Sequence, residues 1–191
     1  MMKIRRIIKR AVQGVSLALI LPCAVLCAFG RIEAIYSFFA QLLALVPGIV
    51  GNFVRSAFYR LTLRECSLDV TISFGTFFSS REASVGTNVS IGSYCVIGHA
   101  RIGTRTQISS HVQIPSGRYQ HSRDNEGRFL DSERREVVIG SDCWIGASAV
   151  ILADVGDQST IGAGSVVVKD IPPHVIAVGA PAKPIKKSQD S

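Results

Sequence analysis

The sequence predicts an all-β solenoid, a parallel β-helix, preceded by an apolar helical segment. The main observation is a repeat over 137–171, in which an aliphatic residue, usually followed by Gly, returns at about every sixth position. A helix needs apolar residues every three or four positions and a half-buried strand needs them every second position, so neither explains the repeat. A coil of three short strands does, because each strand then turns one aliphatic side chain inward.

The same repeat occurs upstream and then stops for one long segment. Its aliphatic positions there are Val85, Ile91, Ile97, Ile102, Ile108 and Ile114. The segment 115–136 is polar and charged, and the repeat resumes at Ile139. A stack of coils tolerates such an insertion because each coil packs only on its neighbours, and a loop of this length is usually functional or disordered. We therefore predict one β-helix domain over 66–187, with an active-site loop at 115–136 and a tail at 188–191.

The Gly that follows many of the aliphatic residues suggests a turn at each corner. Gly adopts a positive φ more easily than any other residue, so we expect these positions to have left-handed backbone.

The positive charge belongs to the first third of the chain. Residues 1–64 contain nine Lys or Arg and a single acid, Glu33, which gives +8, and the remainder contributes −1 to the total of +7. The high apolar fraction argues against disorder. Because the basic residues alternate with long apolar runs, nucleic-acid binding is not the expected use of this charge.

Two apolar runs, 11–29 and 32–50, make up most of the segment 1–65. The sequence leaves three interpretations open: a cleaved signal peptide, a helical hairpin packed on the solenoid, and membrane association. We expect the third, as a re-entrant hairpin kinked at Pro22 or as interfacial helices. The basic stretches 3–10 and 55–64 would then lie near anionic headgroups, on the cytoplasmic side of the membrane.

The five cysteines do not have the spacing of a metal site. Cys95 and Cys143 occupy repeat positions where a small apolar side chain would pack, and Cys23 and Cys27 lie in the first apolar run. An odd number without paired spacing indicates a reducing compartment. We expect Cys95 and Cys143 to be packed residues rather than nucleophiles.

Among the four histidines, His121 is the main candidate for a general base. It lies in the polar loop, beside Ser122, Arg123 and Asp124, and an accessible imidazole has a pKa suited to proton transfer near neutral pH. His111 follows Ser109-Ser110 in a coil and is the second candidate. His99 and His174 lie at turns, where surface positions are expected.

The end of the solenoid resembles the terminal signature of the hexapeptide-repeat acyltransferases. The segments IGSDCWIGASAVI, VGDQSTIGAGSVVVKDIPP and VGAPAKPIKK carry this resemblance, which covers about residues 70–187. Within that family, these segments resemble above all the O-acetyltransferases of sugars and surface polysaccharides. One departure is the step from Ile151 to Val155, which is shorter by about two residues than the usual family pattern.

The resemblance implies a left-handed parallel β-helix that assembles as a homotrimer and binds acetyl-CoA (or another acyl-CoA) between neighbouring subunits, with no metal. It implies that His121, with His111 as the second candidate, deprotonates an acceptor hydroxyl for direct attack on the thioester. The cofactor-binding positions that it implies are Trp144, Ala147, Ala163, Lys169 and Lys183.

The sequence thus predicts an O-acetyltransferase of a sugar or lipid-linked glycan in surface-polysaccharide biosynthesis, located at the cytoplasmic face of the inner membrane. Two alternatives stay open. One is a non-catalytic trimeric scaffold. The other is a zinc enzyme that resembles the β-helix carbonic anhydrases, in which His99, His111 and His121 converge on the metal.

Overall fold

The computed structural model describes residues 2–116, 126–128 and 135–187. Three helices come first, α1 (Met2–Leu26), α2 (Glu33–Ala44) and α3 (Gly48–Thr62). Short strands follow, namely β1 (Glu65–Cys66), β2 (Thr71–Ile72), β3 (Phe77–Phe78), β4 (Ser84–Val85), β5 (Ser90–Ile91), β6 (Val96–Ile97), β7 (Ala100–Ile102), β8 (Gln107–Ile108), β9 (Gln113–Ile114), β10 (Val137–Ile139), β11 (Trp144–Ile145), β12 (Val150–Ile151), β13 (Thr160–Ile161), β14 (Val166–Val167), β15 (Val175–Val178) and β16 (Lys183–Lys187).

These strands form three parallel sheets, which are the three faces of a solenoid. Face A contains β1, β4, β7 and β10, face B contains β2, β5, β8, β11, β13 and β15, and face C contains β3, β6, β9, β12 and β14. Val155 and Ile171 continue face A as single bridging residues, and β16 pairs antiparallel with β15 at the end of face B. The predicted left-handed parallel β-helix is confirmed, with about five turns.

Two corners of the solenoid have a constant length, and the third varies. In one coil the inward-facing residues Ile139, Ile145 and Ile151 follow one another at steps of six residues across the A–B and B–C corners. The next step, across the C–A corner to Val155, is four residues. The polar loop 115–136 connects β9 on face C to β10 on face A, so it also leaves from the C–A corner.

The interior is a set of stacked aliphatic rows, as the repeat predicts. On face B the inward residues Ile72, Ile91, Ile145 and Ile161 are fully buried. Each such side chain contributes about 2 kcal/mol of hydrophobic stabilisation.

The predicted reason for the repeating Gly is wrong. A Cβ on Gly146 would lie 2.5 Å from the backbone nitrogen of Ala163, and one on Gly92 would lie 2.5 Å from that of Ser110. These glycines are therefore required by the close approach of the next coil, not by a positive φ. Left-handed backbone occurs two positions later, mostly at residues other than Gly: Asn88, Tyr94, Arg105, His111, Asp142, Ser148, Gln158 and His174.

Side chains of α3 bind the free edge of the first coil on face B. Asn52 Oδ1 accepts a hydrogen bond from the Ile72 amide at 2.8 Å, and Ser56 Oγ donates to the Val70 carbonyl at 3.1 Å. These backbone groups have no strand beneath them, and leaving them unpaired in a buried position would destabilise the coil.

Two tyrosines bind the free backbone edge of the first coil on face C. The Tyr36 hydroxyl donates to the Phe78 carbonyl and the Tyr59 hydroxyl accepts from the Phe78 amide, both at 3.1 Å. Burial raises the pKa of both phenols, so they stay neutral and keep these hydrogen bonds at physiological pH.

Arg55 is the most deeply buried charged residue that the structure describes, at 1% exposure. Its guanidinium donates to the Ile72 carbonyl at 2.7 Å and to the carbonyls of Leu43 and Val46 at 3.1 and 2.7 Å. It thus joins the C-terminal end of α2, where the helix dipole favours a cation, to the first coil. Burial lowers the pKa of Arg55. The expectation that Arg55 lies near membrane headgroups is wrong, because the side chain is buried and donates its hydrogen bonds to backbone carbonyls.

The helices bury one side on the solenoid and expose an apolar surface on the other. On α1 the side chains of Gln13, Ser16, Ile20 and Ala24 are buried, in a stripe at helical spacing. The exposed apolar residues of the three helices and their turns are Ile4, Ile7, Ile8, Val12, Val15, Leu19, Leu21, Val25, Leu26, Phe29, Ile32, Ile35, Phe38, Leu42, Leu45, Ile49 and Val50. Packing on the solenoid and an open apolar surface therefore occur together.

Residues 6–26 of α1 are the one described segment whose length and composition would allow a membrane crossing, and 22% of its most apolar window is buried in the protein. A signal sequence or a core helix satisfies the same criterion. The helix continues through Pro22.

Replacing Arg55 by Met should destabilise the chain by about 3 kcal/mol, because several buried carbonyls lose their donor. Thermal unfolding in detergent measures this change. Arg60→Met, at an exposed position of the same helix, is the matched control and should leave the melting temperature within about 1 °C of the parent. Equal effects of the two substitutions would contradict the role given to Arg55.

Candidate functional site

Trp144 lies on the outer side of face B, in the middle of a row of small and polar side chains. It pairs in register with Gln107 of the preceding coil and Thr160 of the following one. Although it is the chain's single Trp, its side chain is 58% exposed. An exposed indole that contributes little to the core is a suitable surface for a ligand to pack on.

Ala147 and Ala163 lie at the B–C corner in consecutive coils, and both are exposed. The Gly164 amide donates to the Ala147 carbonyl at 2.8 Å, which fixes one alanine over the other. Because each alanine presents only a methyl group, this part of the corner leaves room for a narrow, extended ligand that lies along the stack of coils.

His111 lies at the same B–C corner, in the coil before Ala147. It has left-handed backbone (φ 62°), its side chain is exposed, and its ring stacks on Tyr94 with 5.3 Å between ring centroids. The stacking holds the imidazole at the corner, near the coil that carries Trp144.

The two lysines lie in different places. Lys183 is exposed on β16, where it pairs with Val178 at the end of face B. Lys169 is exposed at the C–A corner, between β14 and Ile171. Within one chain, the structure therefore groups Trp144, Ala147 and Ala163 near the B–C corner, and Lys169 lies at another corner.

His121 lies outside the described residues, and the role predicted for it stays a prediction. The loop that contains it begins and ends at the C–A corner, where the Arg135 amide donates to the Ser116 carbonyl at 3.0 Å. This hydrogen bond closes the neck of the loop.

The C–A corner also has a charged cluster that sequence reasoning missed. Glu136 lies 3.1 Å from Arg101 and 3.9 Å from His99 Nε2. Asp154 Oδ1 accepts from the Val138 amide at 2.9 Å, and Asp170 Oδ1 accepts from the Asp154 amide at 3.1 Å. The signal was present in the sequence, since Asp154 and Asp170 each come directly before an inward aliphatic residue of face A.

His99 and His111 do not come together within one chain, and the zinc alternative, which places the ion between subunits, stays a prediction. His99 follows face C and lies at the C–A corner, whereas His111 lies at the B–C corner. The two cannot bind one ion within a single chain. Among the residues of 2–116, 126–128 and 135–187, no group of three or more His, Cys, Asp or Glu side chains has the proximity that a metal requires.

Cys95 and Cys143 are packed residues, as predicted. They are 0% and 2% exposed, and burial raises the pKa of each thiol. Cys66, also buried, has its pKa raised by burial to about 12. A thiol that is neutral and covered is a poor nucleophile.

Comparison with known proteins finds a family similarity in the C-terminal coils. Residues 136–169 match the family model of the bacterial transferase hexapeptide (six repeats). The galactoside O-acetyltransferase of Escherichia coli (strain K12) is 50% identical over 56 residues, which are 28% of this chain and 28% of that protein. The chain thus matches little more than a quarter of the length of this relative.

Solved structures extend the similarity to most of the chain. A maltose O-acetyltransferase from Clostridium difficile 630 has a TM-score of 0.68 and 27% identity, over 80% of this chain and 84% of that chain. A hexapeptide-repeat acetyltransferase from Vibrio cholerae shares the fold, with a TM-score of 0.68 and 22% identity over 82% of this chain and 92% of that chain.

The thiols provide a test of the site description. At pH 8 the raised pKa values keep Cys66, Cys95 and Cys143 protonated, and burial blocks access to them. Ellman's reagent should therefore titrate about one thiol in the native chain, half-buried Cys23, and all five after denaturation. Cys23→Ser should reduce the native value to near zero. Rapid reaction of Cys95 or Cys143 would contradict the packing.

Proposed function

We propose that this chain, whose last coils carry the hexapeptide repeats of bacterial transferases, is an acetyl-CoA-dependent O-acetyltransferase of a sugar hydroxyl in surface-polysaccharide synthesis. The observation that carries the proposal is the exposed group Trp144, Ala147 and Ala163, which lies within the matched residues 136–169. None of these three side chains is part of the buried core.

The chemistry of the B–C corner fits acetyl-CoA. The pantetheine arm is a narrow, extended chain, and the paired methyl groups of Ala147 and Ala163 leave room for it. Trp144 offers an apolar surface beside them, and Lys183 offers a cation for the phosphates of the nucleotide. Acetyl-CoA supplies the activated acetyl group when bound.

The transfer is a single displacement with His121 as the general base. The imidazole takes the proton of the acceptor hydroxyl as the oxygen attacks the thioester carbonyl carbon. The new C–O bond forms, the C–S bond breaks, and the coenzyme A thiolate leaves and receives the proton from the imidazolium.

The separation of the corners supports a homotrimer with active sites between subunits. The loop with His121 leaves from the C–A corner, whereas Trp144, Ala147 and Ala163 lie near the B–C corner. In the trimer, the loop of one subunit would face the B–C corner of its neighbour. Lys169 lies at the corner that bears the loop, so it would come from the subunit that supplies His121.

Replacing His121 by Ala should lower kcat by a factor of about 10² to 10⁴, since the proton acceptor is lost. Acetyl transfer to a panel of sugars measures kcat, and equilibrium dialysis checks that acetyl-CoA still binds. The control is His111→Asn, which tolerates the left-handed backbone and should retain activity. Loss of activity in His111→Asn alone would move the base to His111, and failure of the parent chain to bind acetyl-CoA would favour the scaffold.

A mixing experiment tests the shared site. Trimers of His121→Ala chains lack the base and trimers of Trp144→Ala chains lack the cofactor surface, but mixed trimers contain intact sites at some interfaces. Activity should reappear on mixing. If mixed samples stay at the level of the parents, the site lies within one chain.

We also propose that the three helices place the enzyme on the cytoplasmic face of the membrane as interfacial helices. The stripe of α1 that faces the protein is fixed by Gln13 Nε2, which donates to the Leu68 carbonyl at 2.8 Å, and by the burial of Ile20 and Ala24. A helix held in this way cannot be surrounded by lipid. Its opposite face is apolar, and the basic residues of 3–10 suit anionic headgroups.

The double variant Phe38→Glu and Leu45→Glu should release the chain from phospholipid vesicles, with a fall in partitioning of roughly a thousandfold, because each side chain loses about 2 kcal/mol of apolar transfer. Both residues are more than 60% exposed, so the fold is unaffected. Vesicle flotation measures partitioning. The control is Ile185→Glu, a 65% exposed isoleucine on β16. Unchanged flotation of the double variant would overturn the proposal.

A further inference from the structure

An apolar groove runs between α1 and α3 on the exposed side of the helices. It has a volume of about 670 Å³, and its walls include Val12, Val15 and Leu19 from α1 and Val50 and Phe53 from α3. Val15, Leu19 and Val50 are 60, 68 and 64% exposed, so the groove is open along its length. A groove of this kind accepts a hydrocarbon chain.

A pocket of about 330 Å³ with both polar and apolar walls lies beside it, where α3 meets the first two coils. Its polar walls come from Asn52, Asp69, Thr71, Asn88 and Ser90. Hydroxyls, amides and a single carboxylate can both donate and accept hydrogen bonds, which matches the hydroxyl groups of a sugar.

The groove and the pocket adjoin. Lys9, Ile49 and Phe53 line both of them. The ammonium of Lys9 therefore lies at the junction, 2.7 Å from Asp69, with both side chains about half exposed. An exposed ion pair of this kind is weak, so Lys9 can exchange the carboxylate for an anionic group of a ligand.

We propose that this composite site binds a glycolipid in which a phosphate joins a hydrocarbon chain to a sugar. The chain lies in the groove between α1 and α3, the phosphate lies at Lys9, and the first sugar lies in the pocket at Asn88 and Asp69. Charge complementarity supports the phosphate, since residues 1–32 contain six basic residues and no acid.

The inference deepens the proposed function, on which it rests, by giving the acceptor a chemical class. The pocket belongs to the first two coils, whereas Trp144 lies in the fourth. Adjacent strands are about 4.8 Å apart, so the two places differ by about 10 to 14 Å along the stack. The site therefore docks the lipid end of the acceptor and does not hold the reacting hydroxyl.

Photo-crosslinking tests the site directly and needs no catalysis. The full chain is placed in phosphatidylcholine nanodiscs with a diazirine-bearing dodecyl phosphoglucose probe, and labelled peptides are identified by mass spectrometry. Label should concentrate in 8–19 and 49–54, the segments that form the groove. Unlabelled dodecyl phosphoglucose should compete at concentrations at least tenfold below dodecyl phosphate or dodecyl glucoside, because each of these lacks one part of the ligand.

Three variants separate the parts of the site. Val50→Glu should abolish labelling of the groove in the membrane-bound chains, whereas Phe38→Glu, which changes an equally exposed apolar residue of α2, should lower membrane binding but leave the labelling of each bound chain intact. Asn88→Gly removes the amide and keeps the left-handed backbone (φ 57°), so it should reduce the preference for the sugar-bearing ligand about fivefold without affecting the fold.

Label that spreads over Phe38, Leu42 and Leu45 as strongly as over the groove would show general contact with lipid and would overturn the inference. Equal competition by the three dodecyl compounds would also overturn it. Acetyl transfer to a soluble sugar is measured separately, so loss of glycolipid binding and absence of transferase activity are distinguishable.

Discussion

The structure depends on how the first coil of the solenoid is closed. Each coil satisfies the backbone groups of its neighbours, but the first coil has none beneath it. Side chains of α2 and α3 bind the exposed groups instead: Tyr36, Asn52, Arg55, Ser56 and Tyr59. The N-terminal helices are therefore a cap that the β-helix requires.

This cap explains why the apolar surface exists. The sides of the helices that meet the coil are occupied by hydrogen-bonding and aromatic residues, so the remaining apolar residues are exposed on the single chain. A chain that removed residues 1–64 would lose the open surface and the cap at once, and its solubility would say little about membranes. Point substitutions on the outer side change the surface alone.

The sequence was sufficient for the fold because the repeat is a direct consequence of packing. One inward side chain per strand and a fixed corner length give a six-residue period that no other element produces, and the burial of Cys95 and Cys143 follows from it. The burial of Arg55 could not be predicted. A basic residue next to apolar runs gives the same sequence pattern whether its side chain faces lipid headgroups or helix carbonyls. The role of the repeating Gly could not be predicted either, since the backbone that a Cβ would meet belongs to the next coil and is distant in sequence.

Only some of the predicted site residues lie together in one chain, for a related reason. Trp144, Ala147 and Ala163 belong to consecutive coils, so their positions follow from the repeat. Lys169 comes from a corner whose length changes from coil to coil, and no period specifies its neighbours there. The cluster of Glu136, Arg101 and His99 forms across the neck of the loop, between residues far apart in the chain.

The constant A–B and B–C corners have a consequence for how such a chain can change. All the variation in length, from the four-residue step at Val155 to the loop 115–136, falls at the C–A corner, and the coils on either side of it stay in register. Residues can be added or removed there without shifting any inward side chain. One edge of the prism is thus able to change in length and composition while the other two keep the geometry that folding demands.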